Sequence, residues 1–132
     1  MKHLDVVAAV IENDGEILCV KRGQSRYEYT SFRYEFPGGK IEPGEEARHA
    51  VIREVEEELK MKIEVERELI TVHHSYPDFT ISLTAFLCHS DSKAITLTEH
   101  IDYRWLPAAQ LSTLQWPEAD KPIMELLQTM GI

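Results

Sequence analysis

The sequence has few cysteines, no long apolar run and a shortage of basic residues. Its two cysteines, Cys19 and Cys88, lie in apolar strand-like runs, which favours buried reduced thiols and argues against a disulfide scaffold. No apolar stretch approaches the roughly 20 residues that a membrane-spanning helix needs. No basic segment followed by an apolar one opens the chain, so no secretion signal is indicated. We therefore expect a cytoplasmic protein with no membrane partner.

The charge balance is acidic, with 23 Asp and Glu against 14 Lys and Arg and a formal net charge of −9. Such a surface argues against a nucleic acid polymer as partner, because Lys and Arg are needed to bind phosphate backbones. A single nucleotide remains compatible, since metal ions can neutralise its phosphates. The length of 132 residues suits one core and not two. We predict one domain over residues 1–132, as a monomer or a homodimer.

Hydrophobic periodicity predicts an α+β fold in which a mixed sheet lies between helices. The turn signal Asn13-Asp14-Gly15 joins the first two strands as a hairpin. Asp120 is the predicted N-cap of a closing helix, with Pro122 in its first turn. Strands are predicted at residues 6–11, 16–21, 63–73, 81–89 and 103–106, a short extended piece at 34–37, and helices at 45–59 and 120–130.

The long predicted helix places three carboxylates on one face. Glu54, Glu57 and Glu58 stand at i, i+3 and i+4, positions that are neighbours on adjacent turns. Like charges there repel, whereas a hard divalent cation such as Mg²⁺ takes oxygen ligands and bridges carboxylates to substrate phosphates. The alternative is an ordinary solvated acidic face. The glycine turn before the helix and the Arg53–Glu54 pair within it favour a metal site.

This segment resembles the signature box of the Nudix hydrolases, which specifies residue types at fixed spacing over some twenty positions. Lys60 stands where the box has its late glycine, which bears on how the helix ends rather than on the ligands. The matching positions in this chain are Gly39, Glu45, Arg53, Glu54, Val55, Glu57, Glu58 and Met61.

The resemblance implies an α/β/α sandwich around a mixed sheet, and Mg²⁺ as the metal, with Mn²⁺ as an alternative. It implies metal ligands at Glu54, Glu57 and Glu58 and at the backbone carbonyl of Gly38. Glu99, six residues before Trp105, matches a remote glutamate of MutT-type members that binds metal or helps to activate water; the alternative is an exposed loop residue. Catalytic roles are thus assigned to Glu54, Glu57, Glu99 and Arg53. Arg53 orients a glutamate or, alternatively, forms an ordinary surface ion pair.

Substrate-binding candidates also come from the MutT-type resemblance. Arg22 matches a phosphate-binding arginine, and Lys40 closes the motif Phe36-Pro37-Gly38-Gly39-Lys40. Asp120 stands where MutT-type enzymes have a base-contacting asparagine, an exchange that resembles the CTP pyrophosphohydrolase branch; the alternative is a helix cap only. Phe36, Tyr76 and Phe79 are stacking candidates or core residues. Phe79 stands where relatives that remove oxidised guanine use an arginine.

These features predict a Mg²⁺-dependent nucleoside triphosphate pyrophosphohydrolase that acts on CTP, dCTP or a modified dCTP. An ionised Asp120 only accepts hydrogen bonds, so it suits a base with an amino group, such as cytosine or adenine, and opposes O6 of guanine. A second reading keeps the chemistry with 8-oxo-dGTP, a modified adenine nucleotide or ADP-ribose as substrate. A third is a catalytically silent nucleotide sensor, against which the intact Glu54, Glu57 and Glu58 argue.

Overall fold

A computed structural model describes residues 1–131 of the chain. Two short 3₁₀ segments, Ala108–Thr113 and Glu118–Asp120, precede the last helix. The strands within the described range are β1 (Lys2–Asn13), β2 (Glu16–Lys21), β3 (Tyr34–Glu35), β4 (Gly38–Lys40), β5 (Glu64–Ser75), β6 (Phe79–His89) and β7 (Asp102–Leu106), and the helices are α1 (Ala47–Leu59) and α2 (Lys121–Met130).

The strands form one mixed sheet, as predicted. Its order is β3-β2-β1-β6-β5, with β4 also paired to β1 and β7 to β2. Strands β1 and β6 run parallel from the pair Lys2–Phe79 to the pair Glu12–His89. All other pairings are antiparallel. The central strand β1 thus joins the hairpin half of the sheet to the β5–β6 half.

Helices cover the two faces of the sheet, which confirms the predicted sandwich. Successive side chains of a strand point to opposite faces, so β1 contributes to two cores. Val7 and Ala9 pack in one core with Val55 and Leu59 of α1. Ala8 and Val10 belong to the other core, which the second 3₁₀ segment and α2 close with residues such as Ile123 and Leu127. Both cysteines are free and buried, as expected.

The elements differ from the sequence prediction mainly at their ends. Strand β1 begins at Lys2 rather than at residue 6, because its exposed end pairs with β6 without contributing to the apolar pattern. Helix α1 begins at Ala47, two residues later than predicted. No helix among residues 1–131 is long and apolar enough to cross a membrane.

Lys60 ends α1 in the conformation for which the signature box uses glycine. Its φ and ψ are 54° and 38°, and its N–H donates to the carbonyl of Glu56 at 3.0 Å. The helix exit is therefore the usual left-handed cap, formed here by a residue with a side chain. A non-glycine residue in this region is strained by about 1–2 kcal/mol.

We expect Lys60→Gly to raise the free energy of unfolding. The relief of strain exceeds the extra chain entropy of glycine in the unfolded state, which leaves a gain of about 0.5–1 kcal/mol. Lys62→Gly is the matched control, since Lys62 is exposed and has no positive φ; it should bring no gain. Urea unfolding of both variants tests this, and an equal effect at both positions would contradict it.

Candidate active site

A cavity of about 350 Å³ opens between β1, β4 and the segment that leads into α2. Its position follows from the sheet, since β4 lies against β1 and holds the glycine turn at the mouth of the cavity. The walls bring together residues that are far apart in sequence. The substrate-binding candidates Arg22, Phe36, Lys40, Tyr76, Phe79 and Asp120 all line it, as does Gly38.

Three aromatic candidates are both core residues and cavity wall. Phe36, Tyr76 and Phe79 are buried, and each lines the cavity. Phe36 stacks on Trp116 at a centroid distance of 4.7 Å, and Tyr76 packs on Phe79 at 5.1 Å. The core alternative is therefore confirmed, and stacking of these rings on an aromatic ligand stays a prediction.

Two tyrosines extend this aromatic wall and were not singled out from the sequence. Tyr27 stacks on Tyr29 at 5.3 Å, and Tyr29 stacks on Tyr76 at 5.1 Å. The Tyr29 hydroxyl donates to Asp78 at 2.8 Å, which ties residues 23–33 to the turn before β6. The alternation Tyr27-Glu28-Tyr29 was the available signal, but it lies in a segment for which no strand or helix was predicted.

Asp120 is a buried carboxyl group in the cavity wall. Its Oδ2 accepts a hydrogen bond from the Phe36 N–H at 3.3 Å. Asp120 is the N-cap residue of α2, as predicted, but its side chain makes no capping bond to the helix and faces Phe36 instead. Burial, and then the nearby Glu35, raise the pKa of Asp120 to about 8. This raised pKa favours the neutral form of the carboxyl group, in contrast to the ionised form that was expected from the sequence.

Arg22 reaches the cavity from the end of β2 and is held there by Glu35. Its Nε and Nη2 donate to Glu35 Oε1 at 3.2 and 3.0 Å. A guanidinium fixed on one side by a carboxylate keeps other N–H groups available for phosphate oxygens. Glu35 also lines the cavity. It was missed from the sequence, where nothing distinguishes it from other surface acids.

Glycine is required in this turn because neighbouring atoms lie too close for a side chain. A Cβ on Gly38 would lie 1.9 Å from the carbonyl oxygen of Val7, and a Cβ on Gly39 would lie 2.5 Å from the Glu54 carboxylate. The turn therefore packs directly on β1 and on the first carboxylate of the acidic face. Since Gly39 also lines the cavity, the carboxylates of α1 adjoin the space in which a ligand would lie.

Arg53 orients the acidic residues around the start of α1. Its Nε and Nη2 donate to the two oxygens of Glu45 at 2.7 and 2.8 Å, and Nη2 also donates to the carbonyl of Lys40 at 3.1 Å. Its Nη1 donates to Glu54 at 3.0 Å and to Glu57 at 3.2 Å. These bonds hold the pKa of Glu45 down at about 2. The geometry favours an orienting role for Arg53 over a simple surface pair.

Glu58 is the buried member of the acidic face. Burial, a hydrogen bond with Glu54 and the charges of Glu54, Glu99 and Glu35 raise the pKa of Glu58 to about 9. Glu99 is brought close because Thr98 bonds to the carbonyl of Glu58 through its hydroxyl at 2.7 Å. Glu54 and Glu99 thus both act electrostatically on Glu58, although Glu99 is exposed. Glu57 is 59% exposed and bonds only to Arg53 among its described hydrogen-bond partners.

The donor chemistry of this group fits a hard divalent cation. Among residues 1–131, no three His, Cys, Asp or Glu side chains are placed closely enough to form a metal site as they stand. Yet Glu58 Oε2 is buried with no hydrogen-bond partner in the described chain, and neighbouring carboxylates repel its charged form. A buried oxygen without a partner calls for an explanation. A cation would supply the missing partner and remove the repulsion.

Comparisons with known proteins agree with this site. The NUDIX domain family matches residues 1–127. The chain is 32% identical to a CTP pyrophosphohydrolase of Escherichia coli K12 over 98% of this chain and 95% of that protein. It is 28% identical to an 8-oxo-dGTP diphosphatase of the same organism, over 98% and 100%.

A solved structure shows the same fold. The NMR structure of a MutT protein of the Nudix hydrolase family from methicillin-resistant Staphylococcus aureus 252 is 37% identical. It aligns with a TM-score of 0.77 over 99% of this chain and 100% of that one. Nudix hydrolases generally use divalent metal ions. The glycine turn, the acidic helix and these matches together show that the chain belongs to the Nudix family and is a nucleotide pyrophosphohydrolase.

Proposed function

We propose that this enzyme is a Mg²⁺-dependent nucleoside triphosphate pyrophosphohydrolase that prefers CTP, dCTP or a 5-substituted dCTP and releases the monophosphate and pyrophosphate. The observation that carries the proposal is the buried carboxyl of Asp120 in the wall of an aromatic cavity. The 32% identity to a protein named CTP pyrophosphohydrolase supports the same substrate class. The family relationship establishes the type of enzyme, and the residues of the cavity carry the choice of base.

Asp120 suits cytosine in either protonation state. A neutral carboxyl group keeps an acceptor oxygen, which can take a hydrogen bond from the N4 amino group of cytosine. The ionised form keeps the bond from the N4 amino group. The aromatic wall formed by Phe36, Tyr76 and Phe79 provides faces for stacking of the base. The cytosine edge therefore finds a partner on both sides of the pKa of Asp120.

The phosphates are assigned to the basic side of the cavity and to the acidic helix beside it. Arg22 and Lys40 line the cavity, and in a protein with a net charge of −9 these local cations are the complement of a triphosphate. Gly38 through its carbonyl, with Glu54, Glu57, Glu58 and Glu99, would hold Mg²⁺, or Mn²⁺ in its place. A bound divalent ion supplies charge neutralisation and an activated water. All of these candidate ligand atoms are oxygens, and oxygen ligands favour hard ions such as Mg²⁺ and Mn²⁺.

The chain's own residues supply position and proton transfer. Arg53 holds Glu54 and Glu57 in place through its Nη1. Glu54 lies against Gly39 at the cavity wall, which brings a carboxylate near the space proposed for the triphosphate, where it would be available to accept a proton from the attacking water. Burial of Glu58 beside Glu54 excludes bulk water from one side of that carboxylate pair.

A pyrophosphate-release screen tests this function. We expect CTP and dCTP to give the highest kcat/KM of a panel that also contains 8-oxo-dGTP, ATP and ADP-ribose, with CMP or dCMP and pyrophosphate as products. Activity should depend on Mg²⁺, with Mn²⁺ as a substitute. A preference for ADP-ribose, or the release of inorganic phosphate with CDP, would overturn the proposal.

A second candidate substrate is 8-oxo-dGTP, and one observation favours it. With its pKa raised to about 8, a neutral Asp120 resembles an amide: it donates to O6 and accepts from N7–H. The chain is also 28% identical to an 8-oxo-dGTP diphosphatase. Ionisation of Asp120 removes the hydrogen bond to O6. The two candidate substrates should therefore differ in how their kcat/KM depends on pH.

A further inference from the structure

A buried histidine lies between the cavity and the acidic face of α1. His100 directly follows Glu99, and its side chain is only 5% exposed. Its Nε2 is 2.9 Å from Glu35 Oε2. Because a carboxylate can only accept a hydrogen bond, Nε2 carries the ring proton and donates the hydrogen bond to Glu35. In the neutral ring, Nδ1 is then left as an acceptor on the opposite side.

The opposite side of the ring faces Glu58. His100 Nδ1 and Glu58 Oε2 are 4.0 Å apart, and both atoms are buried without a hydrogen-bond partner in the described chain. Two adjacent buried polar atoms that both lack a partner are unusual in a folded protein. Once Glu58 is ionised to bind a cation, both atoms are hydrogen-bond acceptors, so a turn of the carboxyl group toward the ring is disfavoured. The histidine is therefore placed to limit how far the Glu58 carboxyl group can turn.

The Glu35 side of the ring connects to the cavity. Glu35 accepts from His100 through Oε2 and from Arg22 through Oε1. Glu35 is 16% exposed, so two donors fix a carboxylate that has little room to move. Removal of His100 would free one of its two oxygens. The orientation of Arg22 at the cavity wall thus depends on a residue that does not itself line the cavity.

We propose that His100 is a positioning residue of this site: it holds the Glu58 carboxyl group for the divalent ion on one side and, through Glu35, holds Arg22 for the substrate phosphates on the other. This inference rests on the proposed function, in which Glu58 is a ligand and Arg22 contacts phosphate. It assigns to one buried ring the alignment of two groups that lie on different elements, α1 and the end of β2.

Mn²⁺ binding without nucleotide tests the Glu58 side. The electron paramagnetic resonance signal of free Mn²⁺, titrated against each protein, gives its dissociation constant. Loss of a group that orients a metal ligand weakens metal binding by about 10–100-fold, and we expect this for His100→Ala. This measurement does not depend on which nucleotide is the substrate. A failure of the proposed cytosine preference would therefore leave its result interpretable.

Two conservative variants separate the two contacts of the ring. Gln at position 100 is long enough to donate to Glu35 but offers little at the place of Nδ1, whereas Asn offers a polar atom there and is too short for Glu35. We expect His100→Gln to weaken Mn²⁺ binding with a nearly unchanged KM. We expect His100→Asn to raise KM for the best triphosphate while Mn²⁺ binding stays closer to wild type. These two variants also decide the matter if His100→Ala does not fold.

His89 provides the matched control. It also lies between two carboxylates, Glu12 at 3.1 Å and Glu66 at 2.8 Å, but it does not line the cavity. His89→Ala should leave Mn²⁺ affinity, kcat and KM unchanged. The proposal is overturned if folded His100 variants bind Mn²⁺ and substrate within about twofold of wild type. It is equally overturned if Gln and Asn lose both properties to the same extent in parallel with thermal stability, since that pattern marks a purely structural role.

Discussion

Glu58→Gln is expected to stabilise the metal-free protein while it lowers turnover by about two to three orders of magnitude. Removal of one ligand charge takes away part of a metal contribution worth several kcal/mol, and each 1.36 kcal/mol is tenfold in rate. The gain in stability has a separate cause, because Glu58 is buried beside Glu54 and within the field of Glu99 and Glu35. Glutamine keeps the shape and removes the ionisable group.

The stability effect has a defined pH dependence. In the unfolded chain Glu58 loses its proton near its ordinary pKa of 4.5, whereas in the folded protein its pKa is about 9. Between these values the folded state holds the extra proton, so the wild type loses stability as pH rises. Asp120, with its pKa raised to about 8, adds to the same trend. Urea unfolding of the metal-free proteins near pH 5 and near pH 9 should show the advantage of Glu58→Gln growing with pH.

Two neighbouring glutamates complete this experiment. Glu57→Gln should also lower turnover by orders of magnitude, since it removes a candidate ligand, but it should not stabilise the protein because Glu57 is 59% exposed. Glu56→Gln, an exposed control on the same helix, should change neither property. Mg²⁺ should raise the Tm of the wild type and raise that of Glu58→Gln less. Near-normal turnover of both Glu57→Gln and Glu58→Gln would refute the assignment of the acidic face.

The second large effect concerns the choice of base. We expect the ratio of kcat/KM for dCTP to that for 8-oxo-dGTP to rise by about tenfold to a hundredfold as the pH passes through the pKa of Asp120. When Asp120 is ionised, its oxygens face O6 of the oxidised guanine, so that two hydrogen-bond acceptors oppose each other. This lowers the stabilisation of the transition state by roughly 1–3 kcal/mol. Below that pKa the neutral carboxyl group donates a hydrogen bond to O6, and the preference for dCTP over 8-oxo-dGTP is correspondingly small.

Asp120→Asn should abolish this pH dependence. An amide keeps the donor and the acceptor at every pH, so the ratio should stay near the low-pH value of the wild type or turn toward 8-oxo-dGTP. Titration of the nucleotides themselves is common to both proteins and cancels in the comparison. Glu118→Gln is the control, because Glu118 is near in sequence but does not line the cavity. If the ratio in wild type and in Asp120→Asn changes identically with pH, Asp120 does not read the base.

The fold was predictable where the apolar pattern was strong. The hairpin β1–β2, the helix α1 and the strand β6 were all expected, because buried stripes and turn residues are local signals. Strand ends were less predictable: the first four residues of β1 pair with β6, and their stability comes from a partner far along the chain. The cap at Lys60 was only partly predictable: the signature box has a glycine at this position, but the backbone adopts φ of 54° there without glycine.

The residues of the candidate site were likewise predictable only where the sequence signal was local. Glu54, Glu57 and Glu58 stand out because their spacing on one helix is a local property. Glu35 and Tyr27 did not stand out, since only the folding of the sheet brings them to the cavity wall. The protonation of Asp120 was equally hidden: it arises from burial and from the charge of Glu35, neither of which can be known before the fold is.

The parallel pairing of β1 with β6 has a consequence for how the molecule acquires its structure. Partners in this pairing, such as Glu12 and His89, are 77 residues apart, and contacts of such long range make folding slow. During synthesis the hairpin and α1 leave the ribosome well before β6 does. Until β6 has been made and has paired with β1, the apolar faces of β1 and α1 are not fully covered. The growing chain therefore has an interval of exposure to aggregation, which slower translation after residue 60 would lengthen.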